Sequence, residues 1–317
     1  MNFWKWLWSL IINANVAPRT TTTTTLLSTT TTTTPIAATT TTTTTLGSGG
    51  KLKKALCFGI NDYPGSQNDL QGCVNDATKL WGDLLKNQCG FDVTILTDKQ
   101  NKISFVRSKM EEMVTNAKAG DVLFIQYSGH GTSKPDTDGD EIDGKDEALC
   151  LISDDGNSIT LLMDDEIRAI FDKLPAGVKL TFVSDSCFSG SVTRAFLATM
   201  SDNSFYSKPR YIPPQDDMEA TRLMMLPSLR AFAYPEEGMN HVLISGTDDK
   251  SYSYDANIDG QPCGAFSYYA VKILKANPKI TYNDFYTQLK KYLPSGDYPQ
   301  NPQLEGSAAN KASIMFE

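Results

Sequence analysis

The chain has 317 residues, with 29 Lys and Arg against 37 Asp and Glu, a formal net charge of −8. That acidic balance argues against nucleic acid as the main partner, which needs a clustered excess of cation. Hydrophobic residues at 40% and charged residues at 21% suit a soluble protein with a real core. Six cysteines (57, 73, 89, 150, 187, 263) form no C-x-x-C pair, so neither a disulfide framework nor a zinc ribbon is supported, and reduced thiols in a cytoplasmic setting are expected.

Residues 1–19 are apolar and rich in tryptophan, with Trp4, Trp6 and Trp8 around Lys5. The apolar run is shorter than the about 20 residues of a membrane span. Residues 1–17 read as an interfacial anchor making peripheral membrane contact; a secretory signal and a neutral tail are the rival readings. Residues 20–50 hold three threonine runs and end in Gly47-Ser48-Gly49-Gly50. With so little to bury, they cannot offset the entropy of ordering and are expected to be a disordered tether.

From Lys51 the pattern is globular. Strands are expected at Ala55–Ile60, Val93–Leu96, Val122–Tyr127, Leu180–Ser184, Val242–Ser245 and Ala312–Phe316. Helices are expected at Cys73–Lys86, Ile103–Ala117, Asp164–Lys173, Phe266–Ala276 and Tyr282–Tyr292. Continuous β-branched runs alternating with amphipathic helices predict an α/β fold. It is an open, mostly parallel six-stranded sheet with helices on both faces and its function at the carboxyl ends of the strands. Residues 191–240 carry five prolines and no clear strand, so residues 51–317 divide into a part at about 51–190, a flexible linker, and a part at about 241–317.

Two strands end in chemically pointed sequences. Val122–Tyr127 runs into Ser128-Gly129-His130-Gly131, and Leu180–Ser184 runs into Asp185-Ser186-Cys187. Glycines beside His130 permit a sharp turn and a close approach. Both segments finish at one edge of a parallel sheet, so the imidazole and the thiol are expected to face each other. In that arrangement His130 manages the proton while Cys187 attacks a carbonyl. The backbone N–H groups of Gly131 and Cys187 are placed to hold the oxyanion. His241, at a strand start, reads as structural.

These segments resemble the type I metacaspases, caspase-like cysteine peptidases. The resemblance covers about residues 52–316. It rests on Tyr127-Ser-Gly-His-Gly, Asp185-Ser-Cys-x-Ser-Gly, Gly59-Ile-Asn, Gly72-Cys-Val-Asn-Asp76 and the acidic run Asp138–Glu147. The His-to-Cys separation, 187 − 130 = 57, is close to the roughly 50 of caspases. The resemblance implies a Cys–His dyad and an acidic pocket at Cys73, Asp76, Ser128 and Asp185, hence protein substrates with Arg or Lys before the scissile bond. It also implies a monomer and calcium held by Asp146, Asp164 and Asp165. A fourth calcium ligand is replaced here by Arg194, and Phe188 stands where histidine is common. An EF-hand reading of the acidic run fails because Glu141 occupies the required glycine position. Such an enzyme has Arg194, Lys208, Arg210, Arg222 and Arg230 available in its own linker for self-cleavage. The alternatives are a legumain- or gingipain-like peptidase and a catalytically silent scaffold. A nucleotide-binding domain is disfavoured, since no phosphate-binding glycine loop occurs.

Overall fold

The computed structural model describes residues 51–135, 145–188, 208–213, 238–248 and 251–317. The expectations for residues 1–50 and for Arg194, Arg222 and Arg230 lie outside these residues. Among the described residues no helix is long and apolar enough to cross a membrane.

Strand β1 (Lys53–Gly59) leads through a 3-10 turn (Ser66–Asn68) into helix α1. That helix opens as Cys73–Asn75, widens to π-helical turns over Asp76–Gly82 and closes as Asp83–Asn87. Then come β2 (Asp92–Thr97), α2 (Ile103–Thr115) and β3 (Val122–Ser128). The antiparallel strands β4 (Gly131–Pro135), β5 (Lys145–Ile152) and β6 (Ile159–Met163) precede α3 (Asp164–Phe171) and β7 (Lys179–Asp185). A two-residue strand β8 (Lys208–Pro209) and β9 (Val242–Ser245) follow. The hairpin β10 (Tyr254–Ile258) and β11 (Gln261–Gly264) leads into α4 (Ala265–Ala276), α5 (Tyr282–Leu289), β12 (Gln303–Glu305) and α6 (Ala308–Lys311).

The central sheet has the order β12-β9-β7-β3-β1-β2, parallel throughout except for the edge strand β12. Its strands read as unbroken apolar runs because both faces are covered. Ala55, Cys57 and Phe124 turn to the layer holding Trp81, Phe266 and Phe285. Leu56, Phe58, Leu123 and Ile125 turn to the layer holding Val106, Met110, Ile170 and Phe171. All six cysteines are buried free thiols.

Two element expectations need correction. Residues 312–316 do not form the sixth strand; that edge place belongs to Gln303–Glu305, antiparallel to β9. Met315 and Phe316 instead cover the sheet face, the Phe316 ring 5.8 Å from that of Phe124. Within the linker, Lys208 and Pro209 do form a strand, antiparallel to β10.

Candidate active site

Strands β3 and β7 pair in register, Tyr127 opposite Ser184 and Ser128 opposite Asp185. His130 and Cys187 each lie two residues beyond the last pair, so equal strand lengths bring both to one height at the carboxyl edge. The two tips touch. A Cβ built on Gly131 would sit 2.2 Å from the Cys187 carbonyl oxygen, so only glycine permits this approach. Gly129 is required in the same way, since its Cβ would collide with the Tyr127 hydroxyl. That hydroxyl lies 2.7 Å from the His130 carbonyl oxygen, and the His130 N–H donates to the Tyr63 hydroxyl at 2.9 Å.

The imidazole is oriented from behind. Its Nε2 lies 2.7 Å from the carbonyl oxygen of Asn68, which can only accept, so Nε2 carries the hydrogen. Nδ1 is buried and makes no hydrogen bond. Burial pulls the His130 pKa down to about 3, against the Asn68 carbonyl, which favours the cation. Burial likewise pushes the Cys187 thiol up, with the Ser253 N–H opposing. The ring is therefore neutral with a lone pair at Nδ1, and the sulfur is a thiol. The thiol does not hydrogen-bond the imidazole in this state: Sγ bonds the Ser253 main chain, at 2.7 Å to N and 3.2 Å to O.

The reason is that the site is filled by the chain itself. The N–H groups of Gly131 and Cys187, expected to hold an oxyanion, both donate to one oxygen, the carbonyl of Arg210, at 3.0 and 3.1 Å. On the same residue, the fully buried guanidinium enters a cluster of three carboxylates. Nη2 lies 2.7 Å from Asp76 and 3.1 Å from Asp255; Nη1 lies 3.1 Å from Asp185. Residues on either side are bound as an added strand. The Arg210 N–H donates to the Ser253 carbonyl, and the Ile212 N–H to the Gly131 carbonyl, both at 3.0 Å.

Of the four expected pocket residues, Asp76 and Asp185 meet Arg210 directly. Cys73 is buried beside it, and burial pushes its thiol up. Ser128 does not join the polar contacts of Arg210; its hydroxyl accepts from the Gln126 amide at 2.7 Å. Three contributors went unforeseen. Asp255 also accepts from the N–H groups of Gln71 and Gly72 at 2.7 and 2.8 Å. Ser267 steadies Asp185 through its N–H and hydroxyl, and the Gly264 N–H donates to Asp76 at 2.9 Å. Burial pushes the Asp76 carboxyl up to about 7 against the pull of Arg210, as expected where three acids face one cation.

The carboxylates expected to hold calcium lie at one end of the β5–β6 hairpin, where Ala148 pairs with Met163. Asp146 is two residues before Ala148, and Asp164 and Asp165 begin α3. Asp165 is ion-paired with Arg168. Among the described residues no group of three His, Cys, Asp or Glu side chains comes together as a metal site.

A model described as the metacaspase, peptidase C14 domain matches residues 53–195. Metacaspase-1 of Saccharomyces cerevisiae is 34% identical over 301 residues, covering 83% of this chain and 68% of the relative. Metacaspase-1 of Candida glabrata is 31% identical over 299 residues, covering 83% and 75%. Among solved structures, protein GSU0716 from Geobacter sulfurreducens matches with a TM-score of 0.62 at 26% identity, covering 84% of this chain and 98% of its own. Caspase-1 from Spodoptera frugiperda matches with a TM-score of 0.51 at 14% identity, over 81% and 87%, a likeness of fold alone.

Proposed function

Since the chain belongs to the metacaspase family of cysteine-type peptidases, we propose that it is an endopeptidase cutting after Arg and Lys through Cys187 and His130, and that its first substrate is its own Arg210–Tyr211 bond. One observation carries this reading: the Arg210 side chain lies among Asp76, Asp185 and Asp255 while its carbonyl oxygen accepts from the Gly131 and Cys187 N–H groups. A basic side chain is favoured there because buried carboxylates without a cation are costly. Arg is favoured over Lys because one fork reaches Asp185 from Nη1 and both Asp76 and Asp255 from Nη2, a span that a single ammonium lacks.

The chemistry follows from these positions. A small rotation of the thiol away from Ser253 brings its proton to Nδ1 of His130 as Sγ bonds to the Arg210 carbonyl carbon. The oxygen gains the charge and keeps its two N–H donors, now strengthened. On collapse the Arg210–Tyr211 C–N bond breaks, His130 returns its proton to the Tyr211 amine, and a thioester remains. Water, deprotonated by the same Nδ1, attacks the thioester. Arg210 is released as a carboxylate and Cys187 regains its proton. The Nε2–H···O bond to Asn68 lets the ring accept the proton without turning.

Incubating the full chain beside Cys187→Ala and sequencing the fragment ends tests this. A new terminus at Tyr211 in the parent alone supports it; identical patterns in both, or cleavage of peptides only after Asp, refutes it. Calcium stimulation through Asp146, Asp164 and Asp165 is a separate reading, and no step above passes through the ion. Activity unchanged by chelation removes it.

A further inference from the structure

The residue two positions before Arg210 is also a cation. Lys208 lies opposite Asp255 in the β8–β10 pairing, and its ammonium donates to the carbonyl oxygens of Gln67 and Asp69 at 2.5 and 2.8 Å. These flank Asn68, whose own carbonyl receives the His130 Nε2–H at 2.7 Å. All three oxygens come from one tight turn. Gly65, at φ 89°, opens it, and the N–H groups of Asn68 and Asp69 close onto the carbonyls of Gly65 and Ser66 at 3.0 and 3.2 Å. Among the described residues the next three carbonyls are thereby left without main-chain partners, as at any helical end. Two of them take Lys208 and the middle one takes His130. The Asp69 and Asp255 carboxylates add attraction for a cation at the same place.

Resting on the cleavage reading above, we propose that the site reads a second basic residue, two positions before the Arg at the cut, and that this cation braces the 67–69 turn and so positions His130. The substrate class is Lys-x-Arg or Arg-x-Arg. Asn68 is a positioning residue that acts through its main chain, and Gln67 and Asp69 form the subsite. The cation's field alone opposes the imidazolium that forms during attack. Lys208 is exposed, so solvent and salt screen that field, while the two hydrogen bonds act on the turn directly.

The test uses the full chain after self-cleavage, with fluorogenic peptides ending in Lys-Pro-Arg, Ala-Pro-Arg and Glu-Pro-Arg. Lys-Pro-Arg is expected to exceed Ala-Pro-Arg about tenfold in kcat/KM, with part of the gain in kcat, and Glu-Pro-Arg to fall below both. In the chain itself, Lys208→Ala is expected to slow self-cleavage by a similar factor and Lys208→Arg to restore it. Three peptides cut equally well overturn the subsite, and a gain confined to KM overturns the bracing of His130. Failure to cut any of the three, with Lys-ended peptides equally inert, instead marks failure of the Arg/Lys reading, and this proposal falls with it.

Discussion

His130 and Asn68 are joined ring to main chain: Nε2 lies 2.7 Å from the Asn68 carbonyl oxygen, leaving Nδ1 as the only nitrogen that can take a proton from Cys187. Burial lowers the ring's pKa to about 3 while the chain's own segment fills the site. A depressed pKa keeps the base neutral to lower pH than a solvent imidazole at about 6.5. Self-cleavage of the full chain, followed by quenched time courses between pH 4 and 8, is expected to retain more than half its maximal rate at pH 5. A loss centred near pH 6.5 would contradict the buried-base picture.

Asp255 makes a second prediction. It shares Arg210 Nη2 with Asp76, and only Arg has a fork wide enough to bridge it to Asp185. Asp255→Asn is expected to lower kcat/KM for Arg-ended peptides about tenfold or more, the worth of one charge-assisted hydrogen bond. The same change is expected to narrow the preference for Arg over Lys. Unchanged kcat/KM for both peptides would remove Asp255 from the pocket.

The strands at 55–60, 122–127, 180–184 and 242–245 were legible because central parallel strands must be apolar on both faces. Residues 312–316 carry the same signal for another reason: Met315 and Phe316 are buried as a cover over the sheet. The true edge strand, Gln303–Glu305, is half-buried and mixed in character, so nothing in its residue types announces it. His130 and Cys187 were legible because glycine-bounded residues at strand ends form a local pattern. Asp255 lies 255 − 76 = 179 residues from Asp76, in a hairpin without such a pattern. Asn68 contributes only its carbonyl, which every residue type has. Arg210 was one of five linker cations, and only its place in the fold separates it from Lys208.

Gly131 makes a third prediction, independent of pocket charge. A methyl group there would meet the Cys187 carbonyl oxygen at 2.2 Å and the Phe188 ring at 3.1 Å. The Gly131→Ala protein must move the two strand tips apart, which displaces one oxyanion donor. A fall of about 100-fold to 1,000-fold in kcat is expected. Far-ultraviolet circular dichroism is expected to be unchanged, because β3 and β7 end before the contact and only the first residue of β4 takes part in it. Parental activity in Gly131→Ala would contradict the assignment of its N–H.

Tyr127 tests whether His130 is held through its main chain as well as its ring. The buried hydroxyl lies 2.7 Å from the His130 carbonyl oxygen, 2.9 Å from the Cys150 carbonyl oxygen and 3.2 Å from the Tyr63 hydroxyl. Tyr63 in turn accepts the His130 N–H at 2.9 Å. Tyr127→Phe keeps the ring, and with it the packing against Phe58 at 5.0 Å between centroids. The change therefore isolates the hydrogen bonds. With the one buried O–H donor between these two carbonyls removed, about 1–3 kcal/mol of stability is expected to go, measured by denaturant unfolding of the Cys187→Ala background so that self-cleavage does not intervene. In the active protein kcat is expected to fall about tenfold at nearly constant KM, since the substrate pocket does not touch this hydroxyl. Lost stability with unchanged kcat would assign Tyr127 to folding alone.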